Sequence, residues 1–210
     1  MMHLTLEDIR QLEKRQRANL INSITGVKSA NLIGTRNKEC NTNLSVVSSV
    51  VHLGSNPALI GYIQRPRGVE RHTFENIIST KKYTINSINS AITYPAHKTS
   101  ARYPREKSEF EETGLTPEWL NDFYAPFVKE SNIKIAMELV EVIPIPMNDT
   151  ELVVGKVLEI YFPSAIYKTD GHLAVYETGT VGISGLDTYL STEKIARYSY
   201  AKPDEPIIEI

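Results

Sequence analysis

The chain has 210 residues, 41% of them hydrophobic and 23% charged, with a formal net charge of −2 and an isoelectric point near 6.2. That size suits one large domain, able to bury roughly 70% of its unfolded surface without a disulfide or metal. The near-neutral balance argues against a chain built to coat nucleic acid, which presents a strongly basic face, and the single cysteine, Cys40, excludes an intramolecular disulfide and suits a reducing compartment.

The N-terminal stretch MMHLTLEDIR lacks the apolar core of a signal peptide, because Glu7 and Asp8 interrupt it. No apolar run approaches the roughly 20 residues of a membrane span. The expectation is a cytoplasmic protein with neither a membrane nor a nucleic-acid partner. Thr5 and Asp8 have the spacing of a capping box, and the recurrence of Leu6, Ile9, Leu12, Leu20 and Ile21 predicts one amphipathic helix over 6–22.

Strand patterns follow. Ala30 to Thr35 reads as a strand, then a turn spans 36–41. Residues 43–52 and 58–64 read as the two arms of a hairpin turning at Gly54-Ser55-Asn56-Pro57. A short helix is predicted over 73–80, opened by Thr73, and a strand over 82–88. The stretch 89–131 breaks the β pattern, with helices expected from Ser90 toward Thr99, over 105–113 and from Thr116-Pro117-Glu118. That last triplet combines a hydroxyl N-cap with proline at the first helical position, and its helix would turn Trp119, Leu120 and Phe123 inward. Strands return at 134–143, 152–162, 172–176 and 180–183. With no internal repeat, the chain reads as a 25–200 domain between an N-terminal helical extension, 1–24, and a C-terminal tail, 201–210. Strands interrupted by a helical insertion point to a barrel rather than a doubly wound sheet.

Little in the sequence suits side-chain catalysis. His72, His97 and His172 are scattered rather than clustered at zinc spacing, so no metal site is expected. There is no nucleophile elbow and no P-loop, and Val181-Gly182-Ile183-Ser184-Gly185 lacks the third glycine of a dinucleotide fingerprint. Any chemistry would come from a cofactor. Two basic segments stand out. Arg65, Arg67, Arg71, His72 and Thr73 fall within nine residues where a strand gives way to a helix. Guanidinium groups and a helix N-terminus together suit a phosphate; a solvated loop with an ordinary threonine cap would read the same way. Lys98 to Lys107 either borders a site for an anionic substrate or is an exposed connector. On the strand before the first segment, Ser45 and Ser49 share one face and Ser48 the other. They are either the polar side of a half-buried strand or small residues that let a flat ring approach the backbone.

The order of these motifs resembles the flavin reductase-like family, the FMN-binding split barrels. The resemblance rests on Asn43-Leu44-Ser45-Val46-Val47-Ser48, Asn56-Pro57-Ala58-Leu59-Ile60-Gly61, Arg65-Pro66-Arg67, His72-Thr73-Phe74-Glu75-Asn76-Ile77 and Lys82-Tyr83-Thr84-Ile85-Asn86. It continues through Thr99 to Pro104, Glu109-Phe110, Gly114-Leu115, Glu141 to Pro144 and Val154 to Val157. Ser45-Val46 replaces the family's usual Ala-Pro, and His72 stands where an aspartate is common. The resemblance implies a mainly β fold with helices (α+β), a split β-barrel of FMN-binding type with an N-terminal helix and a helical insertion. It implies a homodimer with FMN near the subunit interface and NAD(P)H as co-substrate, passing hydride to the flavin and on to a small-molecule electron acceptor. The phosphate would lie by Arg65, Arg67, His72 and Thr73. The ring would lie against Asn43, Leu44, Ser45, Val46, Ser48 and Ser49, and Ser100 and Tyr103 would close the site, with Gly185 to Tyr189 approaching it. A non-enzymatic flavin-binding or flavin-sequestering protein, or a barrel without ligand, remains the alternative.

Overall fold

The computed structural model describes residues 1–66 and 68–210. The N-terminal segment forms two helices, α1 (Leu6–Gln11) and α2 (Lys14–Ser23), rather than one. The capping box is present, with the Thr5 hydroxyl accepting from the Asp8 amide at 3.2 Å and the Asp8 carboxylate accepting from the Thr5 amide at 2.7 Å. The break falls at Leu12, whose backbone leaves the helical region at ψ 142. Arg17 satisfies the carbonyls freed there, donating to Arg10 and Leu12 at 3.2 and 3.0 Å. Neither helix buries a residue, so no packed face holds them as one rod.

The strands and helices that follow are β1 (Lys28–Ser29), β2 (Asn31–Arg36), β3 (Thr42–Val47), β4 (Val51–Ser55), β5 (Ala58–Gln64), α3 (His72–Thr80) and β6 (Lys82–Ser87). After a 3₁₀ turn come α4 (Thr93–Lys98), α5 (Glu109–Thr113), β7 (Pro117–Glu118), β8 (Phe127–Val128), β9 (Lys134–Ile145), β10 (Thr150–Tyr161), β11 (Val181–Ser184) and β12 (Thr188–Ser191). Seven strands make one sheet in the order β3-β2-β6-β9-β10-β5-β4, each neighbouring pair antiparallel.

Its two edges, β3 and β4, are consecutive in the chain and joined only by Ser48, Ser49 and Val50. Laid flat, six interstrand gaps would separate the edges by about 29 Å. The linker spans at most ~14 Å. The sheet must therefore roll until its edges approach, which makes a split barrel. The predicted 43–52 arm is thus not one strand of a hairpin. It leaves one edge of the sheet and rejoins the other, and only Val51 to Ser55 pairs with β5. Ser49 helps close the seam. Its hydroxyl accepts from the Ile63 amide at 3.1 Å and donates to the Ile63 carbonyl at 3.3 Å, continuing the ladder past the last β4–β5 pair at Val51 and Gly61.

Alternate residues of β2 enter two cores. Ile33 joins Tyr62, Phe74, Ile77, Tyr83, Ile85, Met137 and Val153 inside the barrel. Leu32 joins Leu44, Ile92, Phe110 and Leu115 beneath the helical insertion. Cores on both sides leave β2 buried at every position from Asn31 to Thr35 rather than at alternate ones. Gly155 is required where β9 and β10 shift register, since a Cβ there would stand 2.0 Å from the Tyr83 hydroxyl.

The insertion departs furthest from expectation. The helix predicted over 105–113 starts only at Glu109, ending at Gly114 with φ +79 as a left-handed cap. Thr116-Pro117-Glu118 begins no helix: Pro117 and Glu118 pair with β8, and the Thr116 amide is taken by the Glu130 carboxylate at 3.1 Å. Asn121 and Asp122 have positive φ, 48 and 54, which a helix cannot accommodate. Trp119 is exposed rather than inward, stacked with Tyr124 around the Arg36 guanidinium. The strand predicted over 172–176 is replaced by a bridge between Tyr167 and Leu173 and a 3₁₀ turn at Val175–Thr178. Among the described residues no helix is long and apolar enough to cross a membrane.

Candidate functional site

The seam between β3 and β5 opens into a cavity of about 980 Å³, at the upper end of small-molecule sites. Asn43, Ser45, Val46, Ser48, Ser49, Arg65, His72, Thr73, Ser100 and Tyr103 all line it. Leu44 does not: its side chain is buried beneath the insertion, and its amide donates to Glu109 Oε2 at 2.9 Å. Alternation along β3 turns Leu44 away from Asn43 and Ser45, although Val46, which shares Leu44's face nearer the end of the strand, lines the cavity. Arg67 lies outside the described residues.

The β3 edge is covered by the insertion rather than left open to a ligand. Glu109 takes the Leu44 amide, the Thr99 hydroxyl takes the Val46 amide at 2.9 Å, and Thr42 pairs with the Ser108 hydroxyl at 2.7 Å. An edge strand needs such cover against unwanted pairing. Backbone donors at Leu44 and Val46 are therefore already used, and the wall presented to the cavity is made of the side chains of Ser45 to Ser49.

The entrance to α3 carries the charge. The helix begins at His72, one residue before the predicted start, with Arg71 as N-cap and no side-chain cap. Thr73 is thus inside the first turn. Its hydroxyl accepts from Asn43 Nδ2 at 2.8 Å, which leaves its proton free for another acceptor. Arg65, Arg71 and Arg102 gather here. Burial, then the charges of Arg65 and Arg102, hold Arg71 below the ordinary arginine range; it remains cationic at neutral pH. Arg71 also donates to the Pro66 carbonyl at 3.3 Å. His72 contacts Glu70 at 3.2 Å, and Arg105 pairs with Glu75.

Several lining residues carried no clear sequence signal. Glu109 is only 6% exposed, and burial raises its carboxyl pKa above the usual value despite the Leu44 amide and the nearby His72. In the sequence it entered only through the resemblance, as part of Glu109-Phe110, two residues beyond the basic segment that ends at Lys107. Arg71 and Arg102 were legible as basic, but not as neighbours. Tyr62 looked like an ordinary strand residue, yet it is 1% exposed, lines the cavity, and its hydroxyl has no hydrogen-bond partner among the described residues. Leu186 and Asp187 approach the cavity from the far side, where Tyr189 meets His97 edge-on at 5.9 Å. Among the described residues no group of three or more His, Cys, Asp or Glu could hold a metal ion.

Comparison with known proteins accords with this geometry. Residues 27–183 match the model of the flavin reductase like domain. The structure superposes with a TM-score of 0.92 on a candidate flavin reductase with a split barrel domain from Shewanella frigidimarina NCIMB 400, 53% identical, covering 96% of this chain and all of that one. It also resembles nitrilotriacetate monooxygenase component B from Bacillus cereus in fold, with a TM-score of 0.80 at 20% identity over 92% of this chain and 96% of that one. A curated relative, an uncharacterised protein of Aquifex aeolicus (strain VF5), is 28% identical over 102 residues, 49% of this chain and 51% of its own length, so the chain spans about half of it. The rolled sheet with its lined seam, and a family match over most of the chain, place this protein in the flavin reductase-like family, on a split-barrel fold.

Proposed function

We propose that this protein binds FMN in the seam cavity and acts, as a homodimer, in transferring hydride from NAD(P)H through the flavin to a small-molecule electron acceptor. The observation that carries this reading is the pairing, within one cavity, of a cationic helix entrance (Arg65, Arg71, Arg102 and Thr73) with a wall of small residues from Ser45 to Ser49. The residues present fit the cofactor. Mutually repelling guanidinia favour a dianionic phosphate, the Thr73 hydroxyl has a proton to donate, and the volume admits a planar ring with space beside it. His72 in place of the family's aspartate adds a further group able to face an anion.

A bound flavin supplies a hydride acceptor and donor, chemistry that no side chain offers. The chain's own task is placement. Arg65 and Thr73 fix the phosphate end, and the Ser45–Ser49 wall sets the depth of the ring. Thr99 and Glu109 lock that wall by holding the Val46 and Leu44 amides. Ser100 and Tyr103, on the loop after α4, border the open side and limit water. Alignment rather than acid or base catalysis governs hydride transfer, in keeping with a cavity lined mainly by small hydroxyl and basic side chains among the described residues. Exposed Val51, Leu53, Val140, Leu158 and Ile160 on β4, β9 and β10 support pairing with a second copy. The test is anaerobic addition of NADH or NADPH to the FMN-loaded protein. Bleaching of the flavin band supports the oxidoreductase reading. Flavin that stays bound and oxidised would replace it with a flavin-holding role.

A further inference from the structure

Two phenols in the barrel interior, Tyr62 and Tyr83, have hydroxyls with no hydrogen-bond partner among the described residues. They are 1% and 0% exposed, and their rings meet edge-on at 6.4 Å. Leaving a buried hydroxyl unpaired costs about as much as losing a hydrogen bond, while phenylalanine would fill the same space at no such cost. The two differ in one respect. Tyr83 points its oxygen at the backbone of Gly155 and does not reach the cavity, whereas Tyr62 lines it.

We infer that Tyr62 is a further ligand-binding residue, its phenol donating a hydrogen bond to an uncharged acceptor on the ring or ribityl chain of the bound flavin. The inference rests on the flavin reading above. Position on β5 supports it. The next residue, Ile63, is bonded by Ser49 of the ring wall. Val47 packs against the same core cluster as Tyr62. Two residues further on, Gln64 faces the cavity, followed by Arg65. Tyr62 therefore lies between the proposed ring wall and the proposed phosphate end. Val47 and Tyr83 beside it are apolar or uncharged, and the charge that acts on it, from Glu151, is negative, so the position suits a neutral acceptor better than a phosphate. Burial, with the influence of Tyr83 and Glu151, pushes its pKa well above the tyrosine range, so the group stays a donor at any working pH.

The test is Tyr62→Phe in the full chain, with Tyr83→Phe as control, read by equilibrium dialysis of FMN and of riboflavin and by thermal unfolding without ligand. Tyr62→Phe should weaken both flavins by the same factor, about five- to tenfold for one neutral hydrogen bond, with an unliganded melting temperature equal to or above that of the wild type. Tyr83→Phe should leave both affinities unchanged. Three results would overturn the assignment while leaving the flavin site standing: undiminished affinity in Tyr62→Phe, a loss confined to FMN, or a lower melting temperature that shows the hydroxyl serves the fold. Wild-type protein that takes up neither flavin would overturn the proposed function and this inference with it.

Discussion

Ser49→Ala perturbs the seam at a single atom. The Ser49 hydroxyl both accepts from and donates to the backbone of Ile63, at 3.1 and 3.3 Å. Its removal leaves an amide and a carbonyl of β5 without their side-chain partner in a half-buried site. One unsatisfied backbone group costs about 1–3 kcal/mol. Water reaching the seam offsets part of the loss, so about 2 kcal/mol is expected for the pair. For a chain of this length each kcal/mol corresponds to roughly 2–4 °C, giving a fall of about 4–8 °C in melting temperature. The assay is thermal unfolding followed by far-ultraviolet circular dichroism. The internal control is Ser48→Ala, one residue away on the same linker, whose hydroxyl has no partner among the described residues and should cost under about 0.5 kcal/mol. Equal melting temperatures for the two variants would refute the claim that Ser49 closes the barrel.

Glu109 holds its proton more tightly in the fold than in the unfolded chain, where its pKa is about 4.5. The native state therefore binds more protons in the window that opens near that value, and its contribution to stability falls as pH rises through the elevated folded pKa. Glu109→Gln keeps an acceptor for the Leu44 amide. It should melt above wild type at neutral pH and lose that advantage below about pH 4; a constant difference across that range would contradict the assignment. Arg65→Ala should weaken FMN by about 1–3 kcal/mol and leave riboflavin binding unchanged, measured by dialysis of each. Gly155→Ala drives a methyl group against the Tyr83 hydroxyl and should destabilise by about 1–3 kcal/mol. A Tyr83→Phe background should recover part of that in urea unfolding, since the nearest contact is the removed oxygen.

The long, strongly patterned elements were legible because local alternation and global burial agree in them. Strands β2, β5, β6, β9 and β10 and helix α3 fall within a few residues of expectation, as does the cluster of Asn43, Ser45, Arg65, His72 and Thr73 around one cavity. What the pattern could not convey was a corner. Ser48-Ser49-Val50 carries no glycine, proline or asparagine to mark a turn, so a strand that changes sheet edges looks like one that does not. The segment after Thr116 failed for another reason. Its capping signature is local, but Glu130, 14 residues away, claims the Thr116 amide, and the Arg36 guanidinium holds Trp119 and Tyr124 in place of a helix. Leu44 was grouped with its motif as a unit, whereas strand alternation places its side chain in the core beneath the insertion, away from Asn43 and Ser45. Glu109, Thr99 and Ser49 matter through contacts 65, 53 and 14 residues distant in the chain, which no short window along the sequence contains.

The central claim is that the seam holds a flavin. The most direct measurement is the visible absorbance spectrum of the chain after incubation with excess FMN and desalting, with bound flavin quantified after acid release. One retained flavin per chain, displaced by neither riboflavin at equal concentration nor moderate salt, is the expected result. A colourless protein with no retained FMN, and no rise in melting temperature in its presence, would contradict it.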